Sequence, residues 1–129
     1  MGLCLPMIIF AQKIVPVSTT EARTIIESPH GNDYVLVDGR TVSMYNEAHI
    51  EGALLINAYL DDAAEKLKPL LAKDTIMIYC TTNSRTRVLT NHLKEAGYEG
   101  TIITVTDGIR AWIKKEYPVV VLEEPVQFE

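Results

Sequence analysis

The chain has 129 residues, 47% of them hydrophobic and 22% charged, the composition of one globular domain and too apolar for a disordered segment. Its 12 Lys and Arg stand against 17 Asp and Glu, a net charge of −5, which leaves no basic surplus to neutralise nucleic-acid phosphates. No apolar run approaches the roughly 20 residues of a membrane span, and two cysteines with three histidines at no ligand spacing make no zinc site.

Residues 1–12 stand apart as an apolar N-terminal segment, and 13–129 read as a single domain. The stretch 3–11 (LCLPMIIFA) reads either as the remnant of a secretory signal or as an extra strand packed on the domain; it lacks a basic leading region. A signal would place the protein in the periplasm or outside the cell, and a complete chain without one in the cytoplasm. Residues 14–17 read as a strand. Ser18 and Glu21 form a capping box, and Ala22, Ile25 and Ile26 line one face of the helix that follows. Strands are expected at 34–37 and 53–56. Asp61 or Asp62 is expected to cap a helix carrying Ala64, Leu67 and Leu71, which Pro69 disturbs. A strand at 75–79 leads through a polar loop into a helix with Val88, Leu89, His92, Leu93 and Ala96 on one face, and Gly97 stands where a left-handed C-cap belongs. A strand at 101–105 precedes a short helix capped by Asp107, with Ile109, Trp112 and Ile113 inward, and 118–122 closes the domain.

Strands alternating with helices imply crossover connections and an α/β fold, a mostly parallel sheet with helices on both faces. Ligands of such sheets bind beyond the carboxyl ends of the strands. Three of those ends carry charged or reactive residues: Asp38 to Arg40, Cys80 to Arg85, and Thr106-Asp107. The loop Cys80-Thr81-Thr82-Asn83-Ser84-Arg85-Thr86 is the richest in chemistry. A cysteine there faces successive backbone N–H groups and a helix N-terminus, both of which stabilise a thiolate or hold an anion. Arg85 adds a planar cation, and the hydroxyls of Thr81, Thr82, Ser84 and Thr86 add donors. From this loop alone two readings stand: Cys80 as a nucleophile, or Cys80 as a small buried hydrophobe at a strand end.

The wider pattern resembles the rhodanese-like family of sulfurtransferases, over residues 14–121. Val35-Leu36-Val37-Asp38-Gly39-Arg40 is similar to the family's aliphatic run ending in Asp-x-Arg. Tyr45 and His49-Ile50-Glu51-Gly52-Ala53 resemble its continuation, Cys80 to Arg85 falls where its active-site loop lies, and Gly108-Ile109-Arg110-Ala111-Trp112 resembles its closing element, with Asp107 in place of a first Gly. The resemblance implies a doubly wound five-stranded sheet. It implies Cys80 as the nucleophile that becomes a persulfide, with Arg85 beside it. Thr81, Thr82, Asn83, Ser84 and Thr86 would hold the persulfide and the donor, and Asp38, Arg40 and His49 would support the site. Tyr45 and Trp112 read as core.

The implied activity moves a sulfane sulfur from thiosulfate or a persulfide to a thiol, cyanide or a sulfur-carrier acceptor, with no cofactor or metal. Two departures bear on it. Many family loops have Gly where this chain has Asn83, a residue that tolerates positive φ. Many thiosulfate-using members carry Arg or Lys where this chain has Thr81, which points away from thiosulfate as the physiological donor. Cell-cycle phosphatases and arsenate reductases of the same fold have one more residue between Cys and Arg; the four here favour a sulfur atom over a phosphate. A non-catalytic binding or regulatory module of the same fold is the contrasting class, against which the presence of Cys80 and Arg85 speaks.

Overall fold

The computed structural model describes Gly2 and residues 13–129. The segment 3–11, with Cys4 and both readings of it, lies outside the described residues. Five strands follow in chain order: β1 (Lys13–Val17), β2 (Tyr34–Asp38), β3 (Leu54–Leu55), β4 (Thr75–Tyr79) and β5 (Thr101–Val105). Between and after them lie α1 (Thr19–Glu27), α2 (Val42–Glu47), α3 (Ala63–Leu67), α4 (Ser84–Glu95) and α5 (Gly108–Lys114). The strands form one sheet in the order β1-β5-β4-β2-β3, and every pairing in it is parallel. The expected α/β sheet is therefore wholly rather than mostly parallel.

Helices cover both faces because the central strands are apolar on both sides. Ile76, Ile78 and Ile102 pack with Leu67, Leu89 and Leu93 under α3 and α4. Met77, Tyr79, Ile103 and Val105 pack with Ala22, Ile109 and Trp112 under α1 and α5. The capping box starts α1: Ser18 Oγ accepts from the Glu21 N–H at 3.2 Å, and Glu21 Oε1 accepts from the Ser18 N–H at 3.2 Å. α4 ends at Gly97, whose φ of 75° lets the Tyr98 N–H reach the Leu93 carbonyl at 3.0 Å.

Several local expectations are corrected. The run at 53–56 shortens to a two-residue strand, because only Leu54 and Leu55 pair with β2. Asp62 precedes α3 without a side-chain cap bond and sits 3.5 Å from Lys66 instead. Ala64 faces solvent and Ala63 is the buried alanine, since α3 stops after five residues and a 3-10 turn at Lys68–Leu70, with Pro69 in it, takes over. Ala96 is exposed, lying past the last residue of α4. Ile113 is 49% exposed, because α5 turns only Ile109 and Trp112 to the sheet. Asp107 makes no cap bond to α5. Its carboxylate accepts from the Thr19 N–H at 2.9 Å and the Thr19 hydroxyl at 2.8 Å, tying the β5–α5 corner to the start of α1.

Candidate active site

β2 and β4 are neighbours in register, with Asp38 opposite Tyr79. Their carboxyl ends therefore open side by side, and the Gly39 N–H donates to the Tyr79 carbonyl at 2.9 Å. Cys80 is the next residue, 1% exposed. The chain then turns through Thr81, Thr82 and Asn83 into α4. The strand–loop–helix geometry places the N-terminus of a 12-residue helix immediately after the cysteine, with the positive end of its dipole at the loop.

The backbone N–H groups of Thr81 through Thr86 donate to no acceptor among the described residues; the first amide of this run to find one is that of Arg87, bonded to the Asn83 carbonyl at 3.1 Å. Three side-chain atoms of the same segment are buried without a partner among the described residues: Asn83 Oδ1, Arg85 Nε and Thr86 Oγ1. Buried polar atoms without partners are costly and gather where a ligand completes them. The two carbonyls at the start of the loop, by contrast, are engaged. Cys80 O accepts from the Ile109 N–H at 2.9 Å and Thr81 O from the Arg110 N–H at 3.1 Å. The first turn of α5 thus holds the loop by its carbonyls and leaves its amides free. This junction needs Gly108: its φ is 65°, and a Cβ there would lie 2.7 Å from the Cys80 carbonyl oxygen and still closer to that of Thr81.

Asn83 does not use the left-handed conformation that its substitution for Gly suggests. Its φ is −147°, so the loop closes without a positive φ there and the departure from the family pattern costs nothing in backbone strain.

Asp38 and Arg40 lie in the adjacent wall. Asp38 is fully buried and Arg40 is 5% exposed. The guanidinium meets both carboxylate oxygens, at 3.0 Å through Nε and 2.8 Å through Nη2, and Nη2 also donates to the Ala48 carbonyl at 2.6 Å. Burial works against the Arg40 charge, and the bonds to Asp38 outweigh it, so the Arg40 pKa is raised. The Tyr79 hydroxyl donates to Asp38 Oδ2 at 2.7 Å and accepts from the Ile50 N–H at 3.0 Å. Burial and then the Asp38 charge push the Tyr79 pKa well up. The cluster cross-links the ends of β2 and β4, with every charge spoken for. His49 is 4% exposed and stacks on Tyr45 with ring centroids 3.7 Å apart. Its Nδ1 lies 2.9 Å from the Tyr45 carbonyl, and its backbone pairs with Val120.

Two residues that the sequence reading passed over belong to this end of the sheet. The Tyr59 ring lies under the Arg85 guanidinium at 4.8 Å. Asn57, 7% exposed, accepts from the Tyr59 N–H through Oδ1 at 3.1 Å. No local pattern marks either; they are legible only where the β3–α3 turn meets α4. A cavity of about 490 Å³ lined by Ile26, Tyr34, Ile50 and Trp112 among others includes no residue of the Cys80 loop.

The model of the rhodanese-like domain matches residues 19–115, about three quarters of the chain. The chain belongs to the rhodanese-like domain family. Over 112 residues it is 30% identical to the probable adenylyltransferase/sulfurtransferase MoeZ of Mycobacterium tuberculosis, an alignment covering 87% of this chain and 28% of that protein. Solved structures of other proteins share the fold, among them these three. A rhodanese-related protein of Thermoplasma volcanium superposes with a TM-score of 0.68 at 22% identity, over 84% of this chain and 99% of that one. The rhodanese-like domain of an Anabaena protein gives 0.65 at 21%, over 92% and 89%. Thiosulfate sulfurtransferase of Pseudomonas aeruginosa gives 0.66 at 17%, over 84% and 20%. Among the described residues of this rhodanese-like chain no helix is long and apolar enough to cross a membrane.

Proposed function

We propose that the protein is a sulfurtransferase that carries a sulfane sulfur on Cys80. The observation that supports this most is the run of unpaired amides from Thr81 to Thr86, arranged around the loop that starts at the cysteine. The Cys80 thiolate attacks the outer sulfur of thiosulfate or of a persulfide. The sulfur–sulfur bond of the donor breaks, its electron pair leaves with sulfite or a thiolate, and Cys80 keeps the outer sulfur as a persulfide. The loop amides, the α4 dipole and Arg85 hold the anionic sulfur and the donor oxygens. Thr81, Thr82, Ser84 and Thr86 supply hydroxyls, and Asn83 the start of the helix. An acceptor nucleophile, such as a thiol, cyanide or a sulfur-carrier protein, then attacks the outer sulfur and releases the Cys80 thiolate. Asp38, Arg40 and His49 support the loop from behind. Cys80 is nearly closed to solvent, so its sulfur meets the donor from the base of the loop.

Mass spectrometry after thiosulfate treatment tests the reading. The wild type gains the mass of one sulfur and releases it to cyanide as thiocyanate; Cys80→Ser, folded by circular dichroism, does neither. A wild type that gains no sulfur from thiosulfate or a low-molecular-weight persulfide would refute the proposal. Hydrolysis of p-nitrophenyl phosphate at a rate rivalling sulfur transfer would favour the phosphatase class instead.

A further inference from the structure

Residues 126–129 run back over α2 to the β3–α3 turn. Asn46 clasps them by both amide atoms: its Nδ2 donates to the Val126 carbonyl at 2.7 Å, and its Oδ1 accepts from the Val126 N–H at 3.0 Å. The Glu129 carboxylate then accepts from the Val42 N–H at 2.6 Å through Oε1 and from Asn57 Nδ2 at 2.6 Å through Oε2. Asn57 is the same side chain whose Oδ1 takes the Tyr59 N–H, and the Tyr59 ring carries the Arg85 guanidinium. A continuous path of contacts therefore links Glu129 to Asn57, to Tyr59 and to Arg85.

We propose that residues 126–129 are a strap that positions Arg85: Glu129 locks the Asn57 amide, Asn57 pins the Tyr59 turn, and the Tyr59 ring holds the guanidinium at the loop mouth. Tyr59 is 57% exposed, so packing alone does not hold its ring. The charge-assisted bond from Asn57 to Glu129 is the stronger of the two that Asn57 makes. With Glu129 attached, Asn57 is restrained at both ends of its amide. With Glu129 gone, Nδ2 exchanges its charged acceptor for solvent, and the amide is restrained only at Oδ1 and free to rotate away from Tyr59. Arg85 then loses its aromatic support and samples other rotamers. Asn57, Tyr59 and Glu129 are positioning residues in this scheme, since none of them is placed at Cys80. The consequence for chemistry, weaker capture of anionic donors, rests on the sulfurtransferase reading; the structural link does not.

The test has one readout for each. In nitrogen–proton correlation spectra the Arg85 Nε–H resonance, assigned by its loss in Arg85→Lys, should be displaced by the Tyr59 ring current. Glu129→Ala, Asn57→Ala and Tyr59→Leu should all move it toward the position of a free arginine, and Tyr59→Phe should leave it in place. The double variant Asn57→Asp with Glu129→Gln reverses donor and acceptor and should restore the shift that Asn57→Asp alone abolishes. Thiosulfate kinetics on the same proteins should show KM raised about two- to fivefold, the range of an exposed cation–π contact, with kcat within twofold. An Arg85 resonance unmoved by Glu129→Ala and Asn57→Ala overturns the strap, whatever the activity. A wild type inactive toward every donor, with the resonance still responding, overturns the sulfurtransferase reading and leaves the strap standing.

Discussion

Gly108 joins the end of β5 to the loop that starts at Cys80, and Gly108→Ala puts that junction under a defined load. Two terms add. The residue has φ 65°, a conformation that costs a residue with a Cβ about 1–2 kcal/mol. The new methyl would also stand 2.7 Å from the Cys80 carbonyl oxygen and nearer still to the Thr81 carbonyl. These are backbone atoms, which no rotamer change can move aside. Relief requires α5 to withdraw from the loop, which breaks the bonds from the Ile109 and Arg110 N–H groups to those carbonyls. At about 0.5–1.5 kcal/mol each the two bonds bring the expected loss to about 2–5 kcal/mol. Gly97→Ala is the control. Its φ is 75° with nothing within 4 Å of the added Cβ, so only the conformational term of about 1–2 kcal/mol applies. Urea unfolding of the three proteins reads the difference directly. Thiocyanate production should fall far more in Gly108→Ala than in Gly97→Ala, because only the former shifts the Cys80 loop. Equal stabilities for the two variants would refute the reasoning, as would a Gly108→Ala protein with wild-type turnover.

Asp38→Ala strands the buried Arg40 guanidinium and takes the acceptor from the Tyr79 hydroxyl; removing one partner of a buried ion pair costs about 3–5 kcal/mol, and a loss under about 1 kcal/mol on denaturant unfolding would contradict the cross-link. Arg85→Ala should lower kcat/KM for thiosulfate by about 10- to 150-fold, the value of a charged hydrogen bond, and for a persulfide donor, which has no sulfonate oxygens for the guanidinium fork, much less; equal losses would mean that Arg85 only shapes the loop. Burial pushes Tyr34 up to about 12, and burial with the Asp74 charge does the same to Tyr98. The unfolded chain releases these protons near pH 10 while the folded chain keeps them to about 12, so their contribution is complete below pH 10 and is lost as pH rises across that window. Unfolding midpoints measured through it should fall more steeply for the wild type than for Tyr34→Phe/Tyr98→Phe.

Much of the architecture is local chemistry written along the chain. Ser18 and Glu21 start α1 because each caps the other; Gly97 ends α4 because only glycine turns left-handed at little cost there. Runs such as Ile76-Met77-Ile78 declare a strand buried on both faces, and Cys80 followed by a polar loop and a helix places a cysteine at an amide-lined turn. These features depend on residues within a few positions of one another, so the sequence alone determined them, together with the family resemblance carried by Asp38, Arg40, His49, Cys80 and Arg85. The tertiary structure decided what joins distant segments. Asp107 reads locally as the cap of α5, yet its carboxylate goes to Thr19, because α1 brings an N–H and a hydroxyl there together. Asn57 and Tyr59 sit in an unremarkable turn and acquire a role only where that turn meets Arg85 on one side and Glu129 on the other. Such contacts join residues far apart along the chain, and no periodicity or capping rule reaches across that separation; they exist only once the parallel sheet has aligned the carboxyl ends of its strands.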